Sequence, residues 1–292
     1  MSAVQAAVAA AIAKAAQQVN QGEATSGGDY VPPEAGLSVI TLVGYVEVGI
    51  HQHDIPNKPS YDSNDVQLIF ELNGGKNKGE VVDGKLVCKR ITVTEKLSSN
   101  EKANFFKIFN QLNYDGQATH MAQLVGRHFL GTVYHDKSKD GKKTYATFKG
   151  PNGYNFSAPV VINGDPLDPE NQTKVAVPAP AVASPDFKVF LWDYASKEMW
   201  DSLFIDGEYE AKDGKPARSK NVLQDKIRSA KNFATSPIKA ILGEEALDLS
   251  ESPLAGSSDT TVADPEADPL VDTNLSGAVA DTAAEDPLAG VL

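Results

Sequence analysis

The chain has 292 residues, 41% of them hydrophobic, with a formal net charge of -12 at pH 7. That length allows two domains of ordinary size. The single cysteine, Cys88, excludes an internal disulfide framework and fits a reducing, cytoplasmic compartment, and no apolar run approaches the roughly 20 residues of a membrane span.

The charge is not spread evenly. Residues 243 to 292 carry twelve Asp and Glu and no Lys or Arg, whereas the 27 acids of residues 1 to 242 balance all 27 Lys and Arg. The acidity therefore belongs to a C-terminal appendage, and the rest is neutral. All 22 aromatic residues fall into two blocks, 30 to 156 and 187 to 233, so one domain of about 130 residues and a smaller module are expected.

The N-terminus, "MSAVQAAVAAAIAKAAQQVNQG", lacks the basic start of a signal peptide and reads as an Ala-rich arm over 1–29, with Val4, Val8, Ile12 and Val19 on one side of a short helix. "LSVITLVGYVEVGIH", "DVQLIFELNG" and "KLVCKRITVTE" read as strands. The period then changes: "SSNEKANFFKIFNQL" predicts a helix with Ser98 or Ser99 as N-cap and Phe105, Ile108, Phe109 and Leu112 on one face. "ATHMAQLVG" predicts a short helix closed by Gly126. Strands return in "RHFLGTVYHDK", "TYATFKG" and "YNFSAP", with a turn at Asp140-Gly141.

The order β-β-β-α-β-β over 30–158 predicts a mainly β fold: an OB-like five-stranded barrel with a helix between strands 3 and 4. Residues 159–186 are Pro-rich and aromatic-free, a linker or long surface excursion. Residues 187–242 predict a small α/β extension whose helices start at Ser196 and Ser219, with Trp192 and Trp200 as core anchors. The tail, 243–292, has the composition of a disordered segment. Its Pro-Leu elements, "SPLAG", "DPLVD" and "DPLAG", read as docking motifs, the last offering Asp286, Pro287, Leu288, Val291 and Leu292 to partner proteins.

Little in the sequence points to catalysis, and the chain is expected not to be an enzyme and to need no cofactor or metal. His51 and His53 share a strand face beside Asp54 without further ligands at metal spacing. Cys88 lies in a strand pattern that favours a buried thiol. The stronger signal is "KSKDGKKTYATFK", where Lys137, Lys139, Lys142, Lys143 and Lys149 face a single Asp140, interleaved with Tyr134, Tyr145, Phe148 and Tyr154. Cations along a path with flat rings between them are what single-stranded nucleic acid requires, and Lys89 and Arg90 would extend the path. A second basic cluster lies in residues 209 to 242.

A basic, aromatic OB-type domain followed by an acidic tail with an apolar tip resembles the single-stranded DNA-binding proteins of tailed bacteriophages, as do "FLWDYASKEMWDSLFIDG" and "LQDKIRSAKNF". The resemblance implies sequence-independent binding of single-stranded DNA in phage replication or recombination in the host cytoplasm, with the tail recruiting replication or recombination proteins and a homo-oligomer as an option for the chain. The alternative is a structural or scaffolding virion protein with a β-domain and a solubilising tail.

Overall fold

Two long strands carry the architecture: β1 (Gly36–His53) and β2 (Tyr61–Gly75) pair antiparallel from Ser38 opposite Gly75 to His53 opposite Tyr61. Both are rich in β-branched and aromatic residues and contain no proline, so the ladder is never short of a donor. The structure, a computed structural model, describes residues 31–55, 57–82, 84–138, 141–165, 167–184, 187–209, 216–243 and 270–272. The expected N-terminal arm, residues 1–29, lies outside these residues, as does the tail except for Gly243 and 270–272. Pro32 onward clusters as one compact unit and Met1–Val31 as another.

Near-continuous apolar runs in β1 and β2 are explained by burial on both faces. On one face Ile40, Leu42 and Tyr45 of β1 join Val66, Leu68, Phe70 and Leu72 of β2. On the other, Val43, Val46, Val48 and Ile69 meet Phe190, Trp192, Trp200, Leu203, Leu223, Ile227 and Phe233. The two faces need different spacing, and β1 supplies it with register shifts at Val39/Ile40, Leu42/Gly44 and Glu47/Gly49.

A short hairpin, β3 (Glu80–Val82) with β4 (Lys85–Val87), leads into β5 (Arg90–Lys96), which pairs antiparallel with β2. The helix α1 (Asn104–Leu112) buries Ile108 and Leu112 in the first core, with Phe105 and Phe109 packed against it. It begins after Ala103 without a side-chain cap, four to five residues beyond the expected Ser98 or Ser99, which remain in the approach from β5. A 3-10 turn, Met121–Leu124, is capped reciprocally by His120 and Gln123.

β6 (His128–Lys137) returns to pair with the first six residues of β1, and β7 (Thr144–Thr147) folds back on β6. After the small hairpin β8 (Lys149–Gly150) and β9 (Gly153–Tyr154), β10 (Phe156–Ser157) rejoins β6. β11 (Val160–Asn163) and β12 (Thr173–Ala176) form a separate hairpin. β13 (Lys188–Phe190) then adds parallel to the middle of β1. It leads to α2 (Lys197–Ser202), whose first turn is capped by Ser196 as its position in the sequence suggests.

A fifth hairpin, β14 (Glu208–Tyr209) with β15 (Arg218–Ser219), precedes α3 (Val222–Arg228) and α4 (Pro237–Leu242). α4 has Ser236 as N-cap and Pro237 in its first turn. β16 (Leu270–Asp272) lies parallel to β5.

The expected OB-like barrel is not formed. The main sheet runs β10-β6-β1-β2-β5-β16, with β13 added to β1 and β7 to β6, and among the described residues no pairing links its two ends. The reason is visible on β1 and β5. β6 leaves β1 after Thr41 and β13 takes the same edge from Gly44, while β16 occupies the outer edge of β5. The result is a mixed α/β fold around an open sheet, not a mainly β barrel. Among the described residues no helix is long and apolar enough to cross a membrane.

Gly49 marks where the second layer seats on β1. Its φ is +88°, and a Cβ there would lie 2.4 Å from the Trp192 ring and 2.7 Å from Ala230. Gly49→Ala should therefore cost about 2–4 kcal/mol of stability, from the left-handed backbone and the overpacked contact together, measured by urea denaturation.

Candidate functional site

The lysine-rich hairpin is β6–β7 and its turn, with Asp136 opposite Tyr145 and Lys137 opposite Thr144. Lys137, Lys142 and Lys143 are exposed near the tip, Lys139 lies outside the described residues, and Lys149 is half-buried. Two of its four rings are buried and the other two half-buried. Phe148 is fully buried in the first core and Tyr145 is 5% exposed, its hydroxyl pushed up to about 12 by burial and by the charge of Asp136. Tyr134 lies under Gly150, where a Cβ would come within 2.5 Å of the ring, and the Tyr154 hydroxyl donates to Glu95 at 2.8 Å.

Strand alternation would have left one face of this hairpin to solvent, but residues 145 to 148 are buried on both faces. Nor do the other cations form a path. Arg90 is held by Glu71 and Ser184, and Lys89 Nζ sits 3.5 Å from the Pro32 carbonyl. In the second basic cluster, Arg218 and Lys220 lie over Tyr209, Arg228 over Trp200 and Lys239 over Phe233, while Lys231 bonds Asp62 and Gln52. These cations brace aromatic rings and the end of β1–β2.

The expected single-stranded DNA-binding function is therefore corrected, and with it the replication and recombination role. Closed barrel and basic cleft are both missing from the described residues, and Tyr145 and Phe148 are buried. The likeness to tailed-phage DNA-binding proteins falls for the same reason, since it rested on the barrel and its groove. Asp286, Pro287, Leu288, Val291 and Leu292 lie outside the described residues.

The chemistry-bearing side chains that the fold does bring together are carboxylates on the central strands. Glu71 of β2 is fully buried and accepts from the Ser184 hydroxyl and the Ala183 amide, each at 2.6 Å, and from Arg90 at 3.4 Å. Glu47 of β1 accepts from the Tyr45 hydroxyl at 2.8 Å and from the Trp192 amide at 2.7 Å. Burial, reinforced by Glu47, raises the Tyr45 pKa far above its ordinary value, so its proton is fixed on the phenol. Glu95 of β5 accepts from Tyr154 and Asn104. Its carboxyl pKa is raised, chiefly by burial.

The fourth, Asp65, accepts from the His53 imidazole at 2.7 Å and from the Ser63 hydroxyl at 2.6 Å. His53 stacks on Tyr61, over which Lys96 lies. Serine, histidine and aspartate are thus close together, but both the hydroxyl and the imidazole donate to the same carboxylate. Nucleophilic catalysis requires the hydroxyl to donate to the imidazole, so this arrangement orients side chains and relays no proton. His51 turns away, donating Nε2–H to the Val48 carbonyl at 3.0 Å. Among the described residues no group of three or more His, Cys, Asp or Glu is placed to hold a metal.

What these acids do is latch the layers together. Glu71 holds residues 183–184 to the sheet, Glu47 holds the start of the Trp192 turn, and Glu95 holds α1 and β9. Sequence reasoning passed over them, although each sits inside an apolar β run, where a buried acid is the natural outcome.

Two outcomes follow. Removing the Glu71 carboxylate leaves Arg90 without its counter-charge and the Ala183 amide and Ser184 hydroxyl without their acceptor, so Glu71→Ala should lose about 3–5 kcal/mol in urea denaturation, with Glu71→Gln losing less. Burial, then the nearby Lys226, pushes the His51 pKa down to about 4 from 6.5. Below pH 6.5 the unfolded chain therefore binds the proton that the folded chain refuses, and stability is lost as pH falls toward about 4. The raised pKa of Glu95 works in the opposite direction over the acidic range. Comparing wild type with His51→Gln isolates the histidine part, which should account for roughly 2–3 kcal/mol between pH 7 and pH 4.5.

Compared with protein-family models, curated proteins and solved structures, the chain matches none.

Proposed function

We propose that the protein is a non-enzymatic assembly component, a structural or scaffolding chain that associates with further copies of itself. The observation that carries this reading is the β3–β4 hairpin, on which Val81, Val82 and Val87 are 72%, 50% and 52% exposed. Val81 pairs across to Leu86, and Val87 to Glu80, so apolar groups stand on both faces of a ribbon only two strands wide. Such a ribbon is marginal alone and gains stability when a third strand or another surface covers it.

The β11–β12 hairpin repeats the pattern with Ile162 at 58% and Val175 at 41%. Charge does not oppose self-association, since the acids and bases of residues 1 to 242 balance. A second copy is the natural partner because closed symmetric homo-oligomers are the commonest soluble assemblies. The site geometry supports a role without turnover, because its buried acids are spent on latching the layers. In this reading the tail's terminal Pro-Leu element recruits further partner proteins, and the chain works in a reducing compartment such as the cytoplasm. Cys88 fits that setting: it is buried, and burial together with Glu71 pushes its thiol up to about 11.

Light scattering on a sizing column reads this directly. The wild-type chain should elute as a defined oligomer, and Val81→Ser/Val87→Ser, which alters only exposed side chains, should shift it to smaller species with unchanged thermal unfolding of the monomer core. A wild-type chain that stays monomeric at tens of micromolar, a range in which interfaces of standard size are occupied, would overturn the reading.

A further inference from the structure

We infer that the outer edge of β5 is a strand-accepting site, and that its resident occupant is the chain's own Asp-Pro-Leu-Val-Asp element, residues 268–272. β16 lies parallel to β5, with Leu270 opposite Arg90, Val271 opposite Ile91 and Asp272 opposite Thr92. The inference is independent of self-association, because it concerns a different edge and a contact within one chain.

An edge strand offers a row of unpaired amides and carbonyls, and folded proteins cover such rows to prevent edge-to-edge pairing. β5 is such an edge: β2 fills one side over Asp65 to Glu71, and among the described residues the strand on the other side is β16. The tail segment covers that side by adding a strand, the mode in which main-chain bonds supply affinity and side chains supply selectivity.

The sequence accounts for where this strand begins and which element forms it. Pro269 has no amide hydrogen to give to a ladder, so the strand starts at the next residue. Three Pro-Leu elements occur in the tail, but only Asp268–Asp272 continues with a β-branched residue, Val271. The elements at 252–256 and 286–290 continue with Ala-Gly, which disfavours a strand. In sequence the receiving strand begins and ends on cations, Arg90 and Lys96, whereas the tail element begins and ends on acids, Asp268 and Asp272.

The 26 residues between Gly243 and Leu270 reach about 90 Å when extended, so the tether does not restrict docking. It does hold the element near the edge at an effective concentration in the millimolar range. Three residues make few bonds, so the element is displaceable. The edge is closed to other strands while the tail is docked and open to an acidic, extended peptide of the same kind once the tail leaves.

The test is disulfide trapping in the full chain under graded oxidation. Thr92→Cys/Asp272→Cys places thiols at aligned positions, and Thr92→Cys/Asp281→Cys places one out of register on the same tether. Native Cys88 competes poorly, its thiol being held protonated. The aligned pair should close within one chain about tenfold faster than the misaligned pair, and an excess of free peptide spanning 266–274 should slow it. Equal rates for the two pairs would overturn the docking. Covalent dimers as the main product would overturn docking within one chain.

A second readout keeps the inference testable should Thr92→Cys disturb the sheet. In the otherwise native chain, Val271→Pro should speed hydrogen exchange in residues 90–92 about tenfold by opening the edge. Unchanged exchange there would equally sink the proposal.

Discussion

The antiparallel pairing of β1 with β2 is the constraint on which the rest of the molecule depends. Two strands of this length bury little by themselves. Every other element is placed by what it covers: α1, β6 and β7 close over one face, and the helices after β13 close over the other. Because both faces are dry, a one-residue slip would exchange two complete sets of side chains. The three register shifts in β1 let one strand satisfy two cores of different shape. Gly49 is the point of closest approach, where the backbone itself forms the surface on which Trp192 rests.

Such a design leaves few places for charge, and the acids on the central strands show how it is accommodated. Each buried carboxylate accepts two or more hydrogen bonds, at least one of them from a group distant in sequence. Glu71 reaches residues 183 and 184, Glu47 reaches Trp192, and Glu95 reaches Asn104 and Tyr154. Burying a charge is expensive unless it is fully bonded. These acids consequently specify which segments must be present, and at what register, for the fold to be complete. Lysines and arginines around the second core act in a similar way through their stems and their contacts with aromatic rings.

The surface then divides the work. Residues up to 242 are charge-balanced and display apolar hairpins, which favours association. The tail carries the net negative charge, which favours solubility, and one of its short elements pairs with the outer edge of β5. In the proposed reading the exposed valines of the hairpins are the surfaces on which copies of the chain meet, and the tail strand acts separately, on the outer edge of β5.

From the sequence by itself came the long central strands, the helical period of Phe105, Ile108, Phe109 and Leu112, the Ser196 cap, the burial of both tryptophans and of Cys88, and the concentration of acid in the tail. All of these are local, set by propensity, periodicity or composition within a few residues. What the tertiary structure alone decided was long-range: that β13 takes over the edge of β1 where β6 leaves it, that the sheet stays open, and that Tyr145 and Phe148 point into a core. The lysine hairpin looked like a binding groove because alternation promises every hairpin an exposed face. Whether that face stays exposed depends on elements far away in the chain, and burial of both sides turned the rings into core. The acids at 47, 65, 71 and 95 gave no local signal for the same reason, since the partners that make a strand carboxylate structural, some more than a hundred residues away, are placed only by the tertiary fold.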